Sequence, residues 1–435
     1  MAKINEHYDK LAAGYLFPVV GNKRNEYAAR TGKKVMRLDI GDAKLPISPT
    51  VARAMYMAAD RLSFSQGYSD NDVKADKVRA ILHEAGYDKF NGYGDEQGCS
   101  LLRRTIAEQH YGGRGVSIDP GEVFVSDGAK CDCANIQTLF GLDNIIAVAD
   151  PAYPVYVDTN VAAGRTGEFD KTTFTYDGIV YMPCTKEKGF LPQLDKLESG
   201  VFDELHGVPD LIYLCSPNNP TGAVINYDQL KSFVDFARDY ESVIIFDAAY
   251  SEFIKDPNLP RSIYEVEGAK DCAVEIQSFS KSAGFTGVRL GWTVVPKKLR
   301  GGKLNSMWNR RSQTFFNGAS NIVQAGGLVS MLDERARAES RQAVEIYMGN
   351  AKIIRQGLES IGFEVNGGDN APYLWFNTGM ESWAFLDKML EECQVSCTPG
   401  VGFCPSGAGY ARLTAFATRE DTERAVDSIV KNLKR

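Results

Sequence analysis

One lysine stands in a segment whose neighbours suit chemistry at a buried amine. Residues 278–292 read SFSKSAGFTGVRLGW, with Lys281 between two serines and Arg289 eight positions later. Most lysines in proteins are exposed and carry no chemistry. A desolvated lysine beside another cation loses its proton more readily, and its free amine then forms an imine with an aldehyde. The segment by itself leaves both interpretations open.

Other polar residues complete the set that an aldehyde cofactor requires. Pyridoxal phosphate (PLP) carries the matching aldehyde and needs an anion site for its phosphate, a carboxylate for its ring nitrogen and a donor for its 3-oxygen. Residues 128–130 open a predicted helix, whose free N–H groups suit a phosphate. The candidates are Ala129, Lys130, Ser278, Ser280 and Arg289 for the phosphate, Asp247 for the nitrogen, Asn219 and Tyr250 for the 3-oxygen, and Tyr153 for stacking on the ring. Each alone has a commoner interpretation, such as a helix cap for the aspartate, but their joint occurrence favours PLP.

The elements that must position these residues alternate strands with helices. Short apolar runs ending in polar residues occur at 122–130, 144–154, 210–222, 241–250, 272–281 and 288–296. Nearly continuous apolar strands that alternate with helical patterns, such as 227–240, indicate a mostly parallel sheet with helices on both faces. Ligands of such sheets lie at the carboxyl ends of the strands. We therefore predict an α/β fold in which the strand ends bring the polar residues to one crevice.

The last third of the chain has a different pattern. A long helical stretch begins near residue 303, and a smaller αβ segment follows it, with predicted strands YLWFNT (373–378) and GYARLTAF (409–416). We predict an N-terminal arm that contributes to a small domain (1–50), a large PLP-binding domain (51–310) and a small C-terminal αβ domain (311–435).

Composition excludes several classes of function. The chain has 435 residues, 44% of them hydrophobic and 24% charged, and a net charge of −7. An acidic chain without a dense basic run is a poor candidate for binding nucleic acid or an anionic membrane. No apolar stretch approaches the roughly 20 residues of a membrane span. The nine cysteines form no CxxC motif and do not cluster with the four histidines, so we expect no metal site and no disulfide framework. With no targeting pattern at the N-terminus, we expect a cytoplasmic protein with reduced thiols.

The motifs together resemble a known family. SPNNPTG (216–222), FDAAY (246–250) and the lysine segment are similar to the signatures of the class I and II aminotransferases, which are PLP enzymes of fold type I. The resemblance extends through nearly the whole chain. It includes two more specific stretches, SDGAKCD (126–132) and NAPYLW (370–375).

The resemblance implies roles for individual residues and an assembly. Lys281 forms the imine and carries protons, and Asp247 and Tyr153 are also catalytic. Arg412 binds the α-carboxylate of the substrate with two parallel hydrogen bonds. The active site is completed across a homodimer by Tyr93 and Asn317 of the neighbouring subunit. The remaining substrate contacts implied by the resemblance are Tyr15, Gly41, Glu96, Lys130, Tyr153, Asn219 and Asn317.

Within the family, these stretches resemble those of members that act on LL-2,6-diaminopimelate. The resemblance therefore implies exchange of LL-2,6-diaminopimelate and 2-oxoglutarate with tetrahydrodipicolinate and glutamate, a reaction of lysine biosynthesis. Diaminopimelate carries an ammonium and a carboxylate at both ends, so a distal site needs an anion, which Glu96 supplies. The alternatives are the same chemistry on aspartate, an aromatic amino acid or lysine, a different PLP reaction, and a PLP-binding regulator without catalysis.

Two features depart from the pattern of the family. The segment at 60–90 is longer and more charged than its counterpart, and it precedes Tyr93 and Glu96, so we expect it to reshape the distal pocket. Asp39 is acidic at a position where a small residue is expected.

Overall fold

The computed structural model describes residues 2–11, 14–63, 76–87, 92–195 and 207–434. Residues 64–75 and 88–90, about half of the charged segment at 60–90, lie outside these ranges, so its predicted effect on the distal pocket stays a prediction. Among the described helices, none has the length and hydropathy that a bilayer span requires.

Fifteen strands are present in the described residues. They are β1 (Met36–Arg37), β2 (Val123–Ser126), β3 (Ile146–Asp150), β4 (Phe169–Asp170), β5 (Thr175–Tyr176), β6 (Ile179–Pro183), β7 (Leu211–Cys215), β8 (Val243–Asp247), β9 (Ala273–Ser278), β10 (Gly291–Val294), β11 (Val365–Gly367), β12 (Tyr373–Asn377), β13 (Val395–Ser396), β14 (Thr398–Pro399) and β15 (Tyr410–Thr414).

The same part of the chain forms thirteen α-helices. They are α1 (Leu16–Thr31), α2 (Pro49–Ser63), α3 (Lys77–Glu84), α4 (Ser100–Thr105), α5 (Ala129–Ile136), α6 (Val155–Ala163), α7 (Tyr227–Asp239), α8 (Ala269–Cys272), α9 (Lys303–Phe315), α10 (Asn321–Leu332), α11 (Glu334–Ser360), α12 (Ser382–Lys388) and α13 (Arg419–Asn432).

Seven strands form the central sheet in the order β2-β10-β9-β8-β7-β3-β6. All neighbours are parallel except β10, which is antiparallel to both β2 and β9. Strands β7, β8 and β9 are buried along their whole length. Tyr213 faces one hydrophobic core, whereas Ile212 and Leu214 face another, because successive strand residues point to opposite faces. The predicted mostly parallel α/β sheet is confirmed.

A second sheet of four strands, in the order β11-β12-β15-β14, is built from the last third of the chain. The N-terminal segment joins this region because β1 pairs in parallel with β13. The helical run after residue 320 is divided into α10 and α11 at Asp333, whose extended backbone ends one helix and whose side chain caps the next. Helix α10 packs along α2. The predicted domain limits at residues 50 and 310 stay a prediction.

Candidate functional site

Three adjacent parallel strands end at the predicted site. Strands β7, β8 and β9 lie side by side, and Asp247 closes β8 while Ser278 closes β9. Lys281 follows Ser278 by three residues. Because the carboxyl ends of parallel strands meet at one sheet edge, these residues lie around a common crevice.

The Lys281 amine is desolvated inside this crevice. Its Nζ donates a hydrogen bond to the carbonyl oxygen of Gly41. Burial lowers the pKa of Lys281 to about 8, and the neighbouring charge of Asp42 opposes this shift. The positive charges of Arg289 and Arg412 lower the Lys281 pKa further. A pKa near 8 gives an amine that is partly unprotonated at neutral pH, as imine formation requires.

Asp247 is a buried carboxylate without a cation bonded to it in the described part of the chain. Its Oδ2 accepts from the Tyr156 hydroxyl at 2.7 Å and lies 3.7 Å from the Cys133 Sγ, and its Oδ1 accepts from the Ala249 N–H at 3.0 Å. Burial raises the pKa of Asp247, while the hydrogen bonds of Tyr156 and Ala249 oppose the rise. A protonated ring nitrogen placed here would provide the missing counter-charge.

The N-terminus of α5 and Arg289 form a cup for an anion. Gly128 precedes α5 with φ 126°, and a Cβ at this position would lie 2.3 Å from Nη2 of Arg289. Arg289 Nη1 donates to Ser280 Oγ at 3.1 Å, and the Ser280 N–H donates to Ser278 Oγ at 3.0 Å. Helix N–H groups, a guanidinium and two hydroxyls therefore meet where glycine leaves room, which fits the phosphate of PLP.

We expect Gly128→Ala to weaken PLP binding by about tenfold or more, because the added Cβ displaces the Arg289 guanidinium from the cup. The measurement is the PLP dissociation constant of the purified apoprotein. Gly32→Ala is the matched control, since Gly32 also has a positive φ, 70°, but a Cβ there meets no atom within 4 Å. Equal PLP affinity of the two variants would show that the cup does not hold the phosphate.

Arg412 on β15 is a buried cation that forms no ion pair with a carboxylate of the described residues. Its side chain belongs to a residue that is 1% exposed. Nη1 donates to Asn219 Oδ1 at 2.6 Å, and Nη2 donates to the Asp39 carbonyl at 2.7 Å and to Thr398 Oγ1 at 3.2 Å. Nε has no hydrogen-bond partner among the described residues. Because a buried charge is costly without a counter-ion, the group is suited to a substrate carboxylate.

Aromatic rings surround the Arg412 guanidinium. The ring centroids of Tyr373 and Phe403 each lie 4.8 Å from its Cζ, and that of Phe17 lies 5.5 Å away. These rings stabilise the cation and restrict the directions from which a carboxylate can approach. These rings connect the start of α1, which contains Phe17, to the second sheet, which contains Tyr373.

The acidic Asp39 is neutralised locally. Its Oδ2 lies 3.1 Å from Arg24 Nη1, and its Oδ1 lies 3.5 Å from Arg37 Nε. Of the oxygens of Asp39, the backbone carbonyl accepts from Arg412, whereas the carboxylate makes no described hydrogen bond to it. A carboxylate is therefore compatible with position 39, because the positive charges of Arg24 and Arg37 balance its negative charge.

The Tyr250 hydroxyl is held by a residue that sequence reasoning did not single out. Tyr373 donates a hydrogen bond to Tyr250, and a Cβ at Gly41 would lie 2.7 Å from the Tyr373 hydroxyl. Glycine at position 41 thus leaves space beside Tyr373 and Lys281. Tyr373 stands in the NAPYLW stretch, so that motif carried the signal. No local pattern indicated the other additional residues, which are Tyr156, Cys133, Thr398, Phe17 and Phe403.

The N-terminal arm also reaches the site. The Lys130 Nζ lies 4.2 Å from the ring centroid of Tyr15, and Phe17 lies 6.3 Å from Tyr153, centroid to centroid. Tyr153 packs edge-on against Tyr156 at 5.8 Å. Burial raises the pKa of Tyr15 to about 12 and lowers that of Lys130. Tyr15, which is predicted to contact the substrate, therefore lies beside Lys130, which is predicted to contact the phosphate.

Three predicted residues lie apart from this crevice. Tyr93 is 85% exposed, and Asn317 is also exposed. Asn317 and Gly318 both have a positive φ, and a Cβ at Gly318 would lie 3.5 Å from the Glu96 Cα. In the described part of the chain, no hydrogen bond or ion pair joins Tyr93, Glu96 or Asn317 to the crevice. They form instead a surface group, which we call the outer patch.

Solved structures of several aminotransferases are similar to this chain over most of its length. L,L-diaminopimelate aminotransferase from Chlamydomonas reinhardtii is 42% identical, with 98% of each chain covered and a TM-score of 0.86. Aromatic aminotransferase from Pyrococcus horikoshii OT3 is 23% identical, with 94% of this chain and 97% of that chain covered and a TM-score of 0.75. Aspartate aminotransferase from Thermus thermophilus with maleate is 20% identical, covers 99% and 100%, and has a TM-score of 0.79. The last two show the fold alone.

The family model for aminotransferase class I and II matches residues 59–429. This range contains the strand ends, the lysine segment, the anion cup and Arg412. The enzymes of this family use PLP, which the geometry of the crevice fits. The chain therefore belongs to the class I and II aminotransferases.

Proposed function

We propose that this aminotransferase exchanges LL-2,6-diaminopimelate and 2-oxoglutarate with tetrahydrodipicolinate and glutamate. The observation that carries amino transfer is the pairing, in one crevice, of a desolvated Lys281 with an Arg412 that lacks a carboxylate partner among the described residues. The 42% identity to an enzyme named L,L-diaminopimelate aminotransferase supports this substrate.

The chain's own residues would bind the substrate and move one proton. When bound, PLP supplies an aldehyde for the substrate amine and a ring that accepts electron density from the substrate Cα. Arg412 binds the α-carboxylate and thereby orients the Cα. Lys281 Nζ removes the Cα proton, for which a pKa near 8 is suited at neutral pH. Asp247 holds a proton on the ring nitrogen, which strengthens the ring as an electron acceptor.

Recognition of the distal end is assigned to the outer patch of a second subunit. The exposure of Tyr93 and Asn317 supports this assignment, because both side chains remain available for a partner. Glu96 lies beside Gly318, the residue after Asn317, and supplies an anion for the distal ammonium. A homodimer with shared active sites is therefore part of the proposal. A cytoplasmic location is a further part, supported by nine cysteines that are all free thiols.

The test is a half-reaction with the amino donor alone. The PLP-loaded enzyme is mixed with LL-diaminopimelate, glutamate, aspartate, phenylalanine or lysine, and both the loss of PLP absorbance and the keto acid formed are measured. We expect LL-diaminopimelate and glutamate to react well and the other amino acids at least tenfold more slowly. If aspartate, phenylalanine or lysine reacted faster than LL-diaminopimelate, the proposed substrate would be wrong, but the proposed amino-transfer chemistry would stand. No keto acid from any donor would reject amino transfer.

Glu96→Gln is expected to lower kcat/KM for LL-diaminopimelate by about tenfold to a hundredfold, because the distal ammonium loses its ionic partner. The kcat/KM for glutamate, which has no distal ammonium, is expected to change less than about twofold. Steady-state kinetics with both donors provide the comparison. Glu108→Gln removes an exposed glutamate that was assigned no role and should leave both values unchanged. An equal loss with both donors in Glu96→Gln would contradict the distal role.

A further inference from the structure

A second large cavity lies outside the crevice that holds Lys281. Its volume is about 660 Å³, within the range of small-molecule sites. Its walls come from residues near 109–114, from 249–261, from the region of Ser278 and from the first turns of α11. Of the residues assigned above to the cofactor, only Ser278 lines it. The cavity is therefore separate from the space around Lys281 and Arg412.

The walls of this cavity are strongly cationic in a chain whose net charge is −7. Five cations line it against two carboxylates, Glu252 and Glu345. The cations are Arg114, Lys255, Arg261, Arg337 and Arg341. Like charges around one space repel one another, and an entering anion would relieve this repulsion.

Only part of this charge is compensated. Arg114 Nη2 lies 3.0 Å from Glu252 Oε1, and Arg261 Nη2 donates to the Ile254 carbonyl at 2.6 Å. No ion pair is formed by the other three cations, which are Lys255, Arg337 and Arg341, in the part of the chain that the structure describes. Their side chains are thus available to a ligand.

Two neutral groups in the cavity wall are also unsatisfied. The Nε2 of His110 and the Oγ of Ser340 are buried without a hydrogen-bond partner among the described residues. His110 is 6% exposed, and its Nδ1 lies 3.4 Å from Glu252. Buried polar atoms of native proteins nearly always have a partner. These two are therefore suited to receive one from a bound molecule.

The cations on α11 share one face at the start of the helix. Ser340 and Arg341 follow Arg337 by three and four residues and precede Val344 by four and three, so all four lie on the helix face that lines the cavity. The two arginines therefore present their guanidinium groups to the cavity from successive turns of α11.

We propose that this cavity binds a small anion with two or more carboxylate or phosphate groups. Arg337 and Arg341 are the main ligands, Lys255 closes the rim, and His110 and Ser340 complete the hydrogen bonds. The planar guanidinium matches the geometry of both a carboxylate and a phosphate. Binding experiments with one probe of each kind therefore decide between the two acid groups.

Binding is measured by titration calorimetry on the PLP-loaded enzyme, with citrate as the tricarboxylate and pyrophosphate as the phosphate probe. The ionic strength is held near 0.15 M, which screens loose surface attraction. We expect one equivalent of at least one probe to bind per chain. The stronger probe identifies the acid group that the cavity prefers.

Single variants locate the bound anion. We expect Arg337→Gln and Arg341→Gln each to raise the dissociation constant about tenfold or more. Arg335→Gln is the matched control, because Arg335 lies on the same helix, pairs with Glu339 at 2.9 Å and does not line the cavity. Its dissociation constant should stay within about twofold of the parent value.

Three results would overturn the proposal. They are no binding of either probe, an equal loss in Arg335→Gln, and a loss in Arg412→Gln with none in Arg337→Gln. The last result would place the anion in the substrate site. Because the readout is binding and not turnover, each result is independent of the proposed amino transfer.

Discussion

Lys281→Ala is expected to lower the rate of amino transfer by about 10⁴-fold, at the upper end of what a positioned acid–base group contributes. Lys281 is the lysine that the fold places at the ends of β8 and β9, and its burial lowers the pKa of its amine to about 8. Under the proposed mechanism, the variant loses both the amine that would hold PLP and the base that would remove the Cα proton. Rates are measured with saturating LL-diaminopimelate and 2-oxoglutarate.

A chemical label identifies which lysine holds the cofactor. Borohydride reduction fixes PLP to the amine that carries it, and peptide mapping then locates the modified residue. We expect Lys281 in the parent protein and no labelled peptide in Lys281→Ala. Labelling of Lys130, whose pKa is also lowered by burial, would reject the assignment.

The pH dependence of cofactor capture gives a second check on Lys281. Capture requires the unprotonated amine, so its rate is expected to rise about tenfold per pH unit below pH 8 and to level off above it. The folded pKa lies below the ordinary value of 10.5, so the unfolded chain binds more protons between about pH 8 and 10.5. This group therefore makes stability rise with pH across that window. A capture rate that keeps rising to pH 10 would indicate a solvated lysine.

Arg412→Gln is expected to lower kcat/KM for amino acid donors by about a hundredfold or more, because the substrate carboxylate is left without its charged partner. Arg412→Lys keeps the charge but loses the paired N–H groups, so it should fall between the parent and Arg412→Gln. PLP affinity should fall much less than kcat/KM in both variants, because Arg412 bonds only one of the residues assigned to the cofactor, Asn219, and none of the anion cup. Steady-state kinetics and PLP titration are measured together.

Arg355→Gln provides the control for loss of an arginine. Arg355 lies on α11 and bonds Glu359 and Asp369, far along the helix from the crevice. It should leave kcat/KM within about twofold. Thermal unfolding of all variants is compared, because Asn219, Thr398 and the Asp39 carbonyl lose a buried donor in Arg412→Gln. If Arg412→Gln lowered the unfolding temperature but not kcat/KM, Arg412 would be structural.

The sequence by itself determined the sheet and the residues at its strand ends. Apolar runs that end in Asp247 and Ser278 are local patterns, and parallel strands bring such ends together by a general rule. The identities of Lys281 and Arg289 then indicated PLP, because few cofactors need an amine, an anion cup and a carboxylate in one crevice. Because strand patterns are local, the residues at this sheet edge could be predicted without knowledge of long-range contacts.

Only the tertiary structure decided what surrounds Arg412. Its partners Asp39, Asn219 and Thr398 come from distant parts of the chain, and no periodicity links them. The aromatic rings of Tyr373, Phe403 and Phe17 around Arg412 also share no pattern in the sequence. The side-chain pKa of Lys281 also depends on burial, which is a property of the folded chain.

The cationic cavity gives the clearest case of this division. Arg114, Lys255 and Arg337 are ordinary charged residues in an acidic chain, and their spacing forms no motif. Folding places them around one space because the start of α11, residues 109–114 and residues 249–261 line the same cavity. Local sequence encodes the direction and burial of a side chain within its own element, whereas the meeting of charges from separate elements is set by tertiary packing.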